Sequence, residues 1–272
     1  MILVVPLYIT LIYSVLTSAA QIWLELYLFS ADLTIASLDG ADLRNADLSH
    51  ATLSQTDLSN ADLREANLNS ANLFYAKFNA ATKLRGADLS STSLGGPDLR
   101  DVKFEDTRLN RATFSSADLS GVDLSQNNDF GGSTFTQTNL NNANLTGASL
   151  SNTAFSDVNL VKANLSEASL YDALVHGSNF ENANLSMANL RYSTLVYNNF
   201  SNANLSGTDL SHSRGSFNDF SNANLNGSDL SFADLRFAKG ITEQQLSGAN
   251  PPTLCQTTLP AGLQNLENRD CK

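Results

Sequence analysis

Residues 41 to 50 read Ala41-Asp42-Leu43-Arg44-Asn45 and then Ala46-Asp47-Leu48-Ser49-His50. The same five-residue form returns as Ala61-Asp62-Leu63, Ala143-Asn144-Leu145 and Ala223-Asn224-Leu225. Centred on its Leu or Phe, the unit recurs every five residues from Leu33 to Phe78, from Leu84 to Leu124 and from Phe130 to Leu235. Single-residue insertions near Thr82 and Asn127 separate the three runs. About 41 centres result, all Leu or Phe except Val175 and Gly215, and so long a fixed-period array marks a solenoid. A helix face repeats every 3.6 residues and a strand face every 2, so neither produces this pattern. A period of five calls for a short extended side followed by a corner. The centre and the small residue two before it then point inward, and the polar remainder points out.

The Ala-(Asp/Asn)-Leu-X-X form resembles the pentapeptide-repeat family, over about three quarters of the chain. The resemblance implies an all-β fold, a right-handed quadrilateral β-helix with four repeats, about twenty residues, in each coil. At the inter-strand spacing, about ten such coils make a rod on the order of 50 Å long. Residues twenty apart should then stack. Leu145, Leu165, Leu185, Leu205 and Leu225 form one column of centres, and Leu140, Leu160, Phe180, Phe200 and Phe220 another. Outside the core, Asn144, Asn164, Asn184, Asn204 and Asn224 align as a candidate amide ladder.

The ends divide the chain into three parts: residues 1–21, the repeats over 22–238, and a cap over 239–272. From Met1 to Phe29 the only charge is Glu25, so residues 1–21 read as a signal peptide or a membrane anchor, with membrane association through residues 1–29. Small residues Ser18-Ala19-Ala20 suit a cleavage site, and Trp23 and Leu28 are already in frame with Leu33. After the repeats, Thr242 with Gln245 three residues later forms a capping-box pattern, predicting a short helix over the last coil. Pro251, Pro252 and Pro260 predict an irregular tail. That tail, through Leu254-Cys255-Gln256 and Asn268-Arg269-Asp270-Cys271, resembles cyanobacterial and thylakoid-lumen members of the family. Cys255 and Cys271 are either closed into one disulfide or left as two thiols. Together the leader and tail point to the periplasm, a thylakoid lumen or a membrane-anchored state, with the cytoplasm as the alternative.

The residues offer no catalytic apparatus, cofactor site or metal site. His50, His176 and His212 occupy outward positions on different columns or distant coils, where ligands cannot converge. A net charge of −11 opposes direct binding to nucleic-acid phosphate. The reading is a non-catalytic structural or protein-interaction scaffold. The alternative rests on acidity concentrated early, at Asp32, Asp42, Asp47, Asp57 and Asp62. An acidic rod of this family can imitate DNA and bind a topoisomerase (gyrase), although this chain has one-residue insertions where protective members carry loops.

Two outward columns near the C-terminal end are aromatic. Tyr197, Phe217 and Phe237 make one, and Tyr192, His212 and Phe232 its neighbour. They form a candidate interaction patch. The competing expectation, favoured because the tail starts beside Phe237, is that the C-terminal segment packs over them. Gly215 empties one inward position, leaving either a dent or a bulge in which Phe217 swings inward.

Overall fold

The computed structural model describes residues 28–125 and 129–271. The expected leader over residues 1–21, Trp23 and the insertion near Asn127 lie outside the described residues. The rest winds as a right-handed, four-sided β-helix in which successive coils pair in parallel. Partners are twenty residues apart, as in Asn164↔Asn184 and Asn184↔Asn204. Across the first insertion the step grows by one residue, as in Asp62↔Lys83, and returns to twenty at Lys83↔Lys103.

Residues 163–167 show why five residues suffice. The Ala163 N–H closes the preceding corner on Leu160 O at 3.0 Å. The Asn164 N–H reaches back to Ala143 O at 2.9 Å, while Leu165 and Glu167 reach forward to Asn184 O and Ser166-equivalent Ser186 O at 2.7 and 2.9 Å. The remaining N–H, on Ser166, is accepted by the Asn164 side chain at 3.2 Å. Every backbone donor of the repeat thus has a partner, which a buried wall requires. The preference for Asp or Asn before each centre follows, because only a short side-chain acceptor there satisfies the next N–H but one. The fifth residue turns the chain with a positive φ, as at Gly207 (67°) and Asn202 (58°). This is the requirement of a type II turn and explains the frequent Gly and Asn.

Stacking follows from this pairing. The Asn ladder forms, with Asn184 Nδ2 donating to Asn164 Oδ1, Asn204 to Asn184 and Asn224 to Asn204 at 3.0, 3.0 and 3.1 Å. At its lower end Asn164 donates instead to the Thr146 hydroxyl at 2.8 Å. Inside, Phe180, Phe200 and Phe220 stack at centroid separations of 4.7 and 5.2 Å, and the Leu columns are fully buried. Matched shapes at one spacing leave few voids.

One side departs from the rule. It holds the four three-residue strands β1 (Thr134–Thr136), β2 (Ala154–Ser156), β3 (Leu174–His176) and β4 (Thr194–Val196), paired in that order. At the corner after β3 and β4 no backbone bond closes the turn. The Ser178 N–H goes to Asn198 Oδ1 at 2.9 Å and the Asn198 N–H to Asn218 Oδ1 at 2.8 Å. The stranded carbonyls of Val175 and Leu195 accept from Asn198 Nδ2 and Asn218 Nδ2 at 2.9 and 2.8 Å. Both amides are buried in places usually held by Ala, and each stands in for a missing turn bond. Phe217 does not swing inward at Gly215; it stays exposed, and Leu235 Cδ2 takes the space a Gly215 Cβ would need, 2.6 Å away.

The C-terminal segment carries the expected short helix, but the proline-containing tail after it is more regular than expected. Helix α1 (Glu243–Leu246) carries the capping box, and Gln245 Nε2 donates to Phe220 O and Ala223 O, both at 3.0 Å. Beyond the prolines the chain rejoins the solenoid. Thr253 and Thr258 pair with Asp229 and Asp234, and Leu254 and Leu259 are buried as two further centres. The reason is the open edge of the last coil: the N–H groups of Leu230, Phe232 and Leu235 find acceptors in Thr253, Cys255 and Thr258 at 3.0, 2.8 and 2.7 Å. The new edge is closed in turn by side chains. Leu254, Gln256 and Leu259 donate to Asp270, Asn268 and Glu267 at 2.9, 3.1 and 3.0 Å. Cys255 and Cys271 are bonded, with Cα atoms 4.7 Å apart, and staple this closure.

Asn184→Ala removes two ladder bonds and the acceptor for Ser186, so a lower denaturant midpoint is expected, by about 1–3 kcal/mol. Cys271→Ser, or reduction, should release the terminal strap at a cost of about 3 kcal/mol in the chain-entropy model. Amide exchange at Leu254, Gln256 and Leu259 should rise in the reduced protein, and unchanged protection there would refute the stapling role.

Candidate interaction face

The side that carries β1–β4 continues through Arg214 and Asp234, because Thr194 pairs with Arg214 and Arg214 with Asp234. Its two bounding corners hold the aromatic columns. On one, Tyr192, His212 and Phe232 stack at 4.9 and 4.6 Å with interplanar angles of 24° and 1°. On the other, Tyr197, Phe217 and Phe237 stack at 4.9 Å twice, with angles of 14° and 7°. Tyr171 and His176, each one residue before the corner position, meet the lower ends of the ridges edge-on at 5.6 and 5.7 Å. The result is one wall of the solenoid bounded by an aromatic ridge along each edge, which we call the trough.

The tail does not cover the ridges, contrary to the favoured expectation. Phe217 is 42% exposed, Tyr197 58% and Phe237 55%. The physical reason is the edge pairing above, which holds the tail in line with the last coil rather than across its flank. The ridges also sit where side chains are disfavoured. Tyr192, Tyr197, Phe217 and Phe232 have φ of 61°, 60°, 61° and 63°. A left-handed backbone costs a residue with a side chain about 1–2 kcal/mol relative to Gly, and the fold imposes it at most corners, as at Lys162, Glu167 and Met187.

Between the ridges lie Leu174, Thr194, Arg214 and Asp234 in one row, with His176, Val196, Ser216 and Arg236 beside them. Arg236 donates to both Asp234 oxygens at 2.9 and 2.6 Å, and those bonds hold the Asp234 carboxyl below its ordinary range. Arg191, on the flank, donates to the Tyr192 hydroxyl at 3.3 Å and stands 5.0 Å from that ring's centroid. The cations Arg191, Arg214 and Arg236 were not among the residues singled out from sequence. Twenty-residue columns pick out like residues, and these three occupy two different positions of the repeat. Tyr171 was missed for the same reason, since it precedes its corner position by one.

The three histidines remain apart. His50 meets Phe29 edge-on at 5.6 Å, His176 meets Tyr197, and His212 is sandwiched in its ridge. Among the described residues no three His, Cys, Asp or Glu side chains converge as metal ligands. A second exposed pair, Phe74 and Tyr75, lies over Gly95 and Gly96 of the next coil, where any Cβ would collide with the rings.

The family model for pentapeptide repeats matches the chain in eight copies between residues 27 and 239. Among solved structures, HetL, a pentapeptide-repeat protein involved in heterocyst differentiation regulation in the cyanobacterium Nostoc sp. strain PCC 7120, is 30% identical. That match covers 81% of this chain and 92% of HetL, with a TM-score of 0.40. The plasmid-mediated fluoroquinolone resistance protein QnrB1 is 18% identical over 87% of this chain and 93% of its own, with a TM-score of 0.46. A pentapeptide-repeat protein of the Arabidopsis thaliana thylakoid lumen is 20% identical over 54% and 74%, with a TM-score of 0.21. No curated protein sequence matches significantly.

Phe217 is stacked on both sides, so Phe217→Ala should lower stability by about 1–3 kcal/mol, the worth of two ring pairs. A double-mutant cycle with Tyr197→Ala should return a coupling of about 0.5–1.5 kcal/mol; strict additivity would mean the stack contributes nothing.

Proposed function

The chain belongs to the pentapeptide-repeat family, and on that premise we propose that it is a non-catalytic interaction scaffold whose working part is the ridged trough. The observation that carries this reading is the pair of aromatic stacks, left open to solvent along both edges of one side. Contiguous aromatic rings exposed along one side are a signature of a contact surface. The solid core argues against catalysis, since Leu and Phe fill the interior and leave the outer wall to act. The Cys255–Cys271 bond supports action in an oxidising compartment, in keeping with an exported or membrane-tethered chain.

The DNA-mimic alternative receives less support. Its acidic residues are spread over four sides, with Asp42 and Asp62 on one side and Asp32, Asp47 and Asp57 each on another. Asp42 and Asp62 are moreover paired to Arg44 and Arg64 at 2.6 Å, so no side presents an unbroken negative row there.

A photo-cross-linking residue placed at Ser216, on the trough floor, should form a protein adduct in the source cells. The same residue at Ser206, on another side, should not. Adducts of equal yield from both positions, or from neither, would remove the trough as the working surface.

A further inference from the structure

We propose that the trough accepts an extended, acidic segment of a partner protein, an inference that rests on the scaffold reading and specifies the partner's chemistry. The first argument concerns what the ridges display. Phe217 is covered on both faces by Tyr197 and Phe237, and His212 by Tyr192 and Phe232, at interplanar angles of 24° or less. The faces are therefore spent on each other, and the ridges turn ring edges to solvent. An aromatic edge carries the positive part of the ring quadrupole. Carboxylates and carbonyl oxygens suit it, whereas a nucleobase or a sugar needs a free face on which to stack.

The second argument is charge. In a chain of net charge −11, the trough and its flank bring together Arg191, Arg214 and Arg236 against Asp234. Among the described residues neither Arg191 nor Arg214 makes a direct ion pair, although Asp209 is near enough for Arg191 to feel its field and Asp234 near enough to feel that of Arg214. Guanidinium groups without a bidentate partner are strong carboxylate receptors. Nucleic acid is also anionic, but the molecule as a whole repels a polyphosphate, whereas a short acidic segment brings only a few charges. A second copy of this chain docked through the same face would set arginine against arginine.

The third argument is width. Three extended residues separate the corners, about 10 Å. An α-helix with its side chains is 10–12 Å across and would rest on the ridges, while a single extended chain fits between them. Most of the wall's N–H groups are consumed by pairing between coils, as at Thr194, Leu195, Arg214, Gly215 and Asp234, so the segment is held chiefly by its side chains.

The test uses the full chain with its disulfide intact and fluorescein-labelled ten-residue peptides read by fluorescence polarisation. Peptides alternate Val with Glu, Gln or Lys, and a thymidine decanucleotide is the fourth probe. The Glu peptide should bind saturably, at least about tenfold more tightly than the Gln peptide, and weaken with salt. Arg214→Gln should reduce its affinity about tenfold or more, while Arg64→Gln, on another side, should not. Equal binding of the Glu and Gln peptides, or tighter binding of the oligonucleotide, would overturn the proposal. So would absence of peptide binding while the Ser216 adduct persists, which leaves the scaffold reading standing. Absence of both adduct and peptide binding removes both.

Discussion

The hydrogen bonds between coils govern this molecule. Each repeat sends one N–H back to the coil before and two forward to the coil after, as Asn164, Leu165 and Glu167 do. Their geometry sets one axial spacing for everything attached to the wall. Like residues therefore meet like, and the amide ladder, the buried Phe stacks and the exposed ring stacks are three products of a single register. The same constraint makes the ends vulnerable, since a coil without a successor has forward-pointing donors and no acceptors.

The molecule answers that problem twice at its C-terminal end. Residues 253–259 supply backbone acceptors to the last complete coil, and the strap that ends at Cys271 supplies side-chain acceptors to them. Helix α1 shields the side of the coil end that this added segment does not reach, and its own Leu246 is buried there. Because the tail is occupied in this way, the neighbouring flank stays open. An exposed aromatic face beside a carefully sealed end is consistent with two separate tasks, closure by the tail and contact by the flank.

Much of this was legible in the residues. The period of five implied short sides and corners, and the columns twenty apart located the Leu, Phe and Asn stacks correctly. Thr242 and Gln245 marked the terminal helix. The patch residues Tyr192, Tyr197, His212, Phe217, Phe232 and Phe237 were likewise found by column, and they do stack. Other features were hidden. Asn198 and Asn218 were not singled out from sequence, because the turn bond they replace is missing only on one side of the solenoid. Leu254 and Leu259 looked like parts of an irregular tail because Pro251 and Pro252 precede them.

The sequence by itself determined the repeat, the inward and outward positions, and which side chains share a column, since these depend only on spacing along the chain. The tertiary structure decided that Leu235 and not Phe217 fills the place of Gly215, that the tail rejoins the coil, and that three arginines gather near the trough. Each of these depends on neighbours that exist only after the wall has closed. A vacant volume, an unsatisfied edge and the meeting of residues from different repeat positions are properties of the assembled surface and have no counterpart in the linear chain.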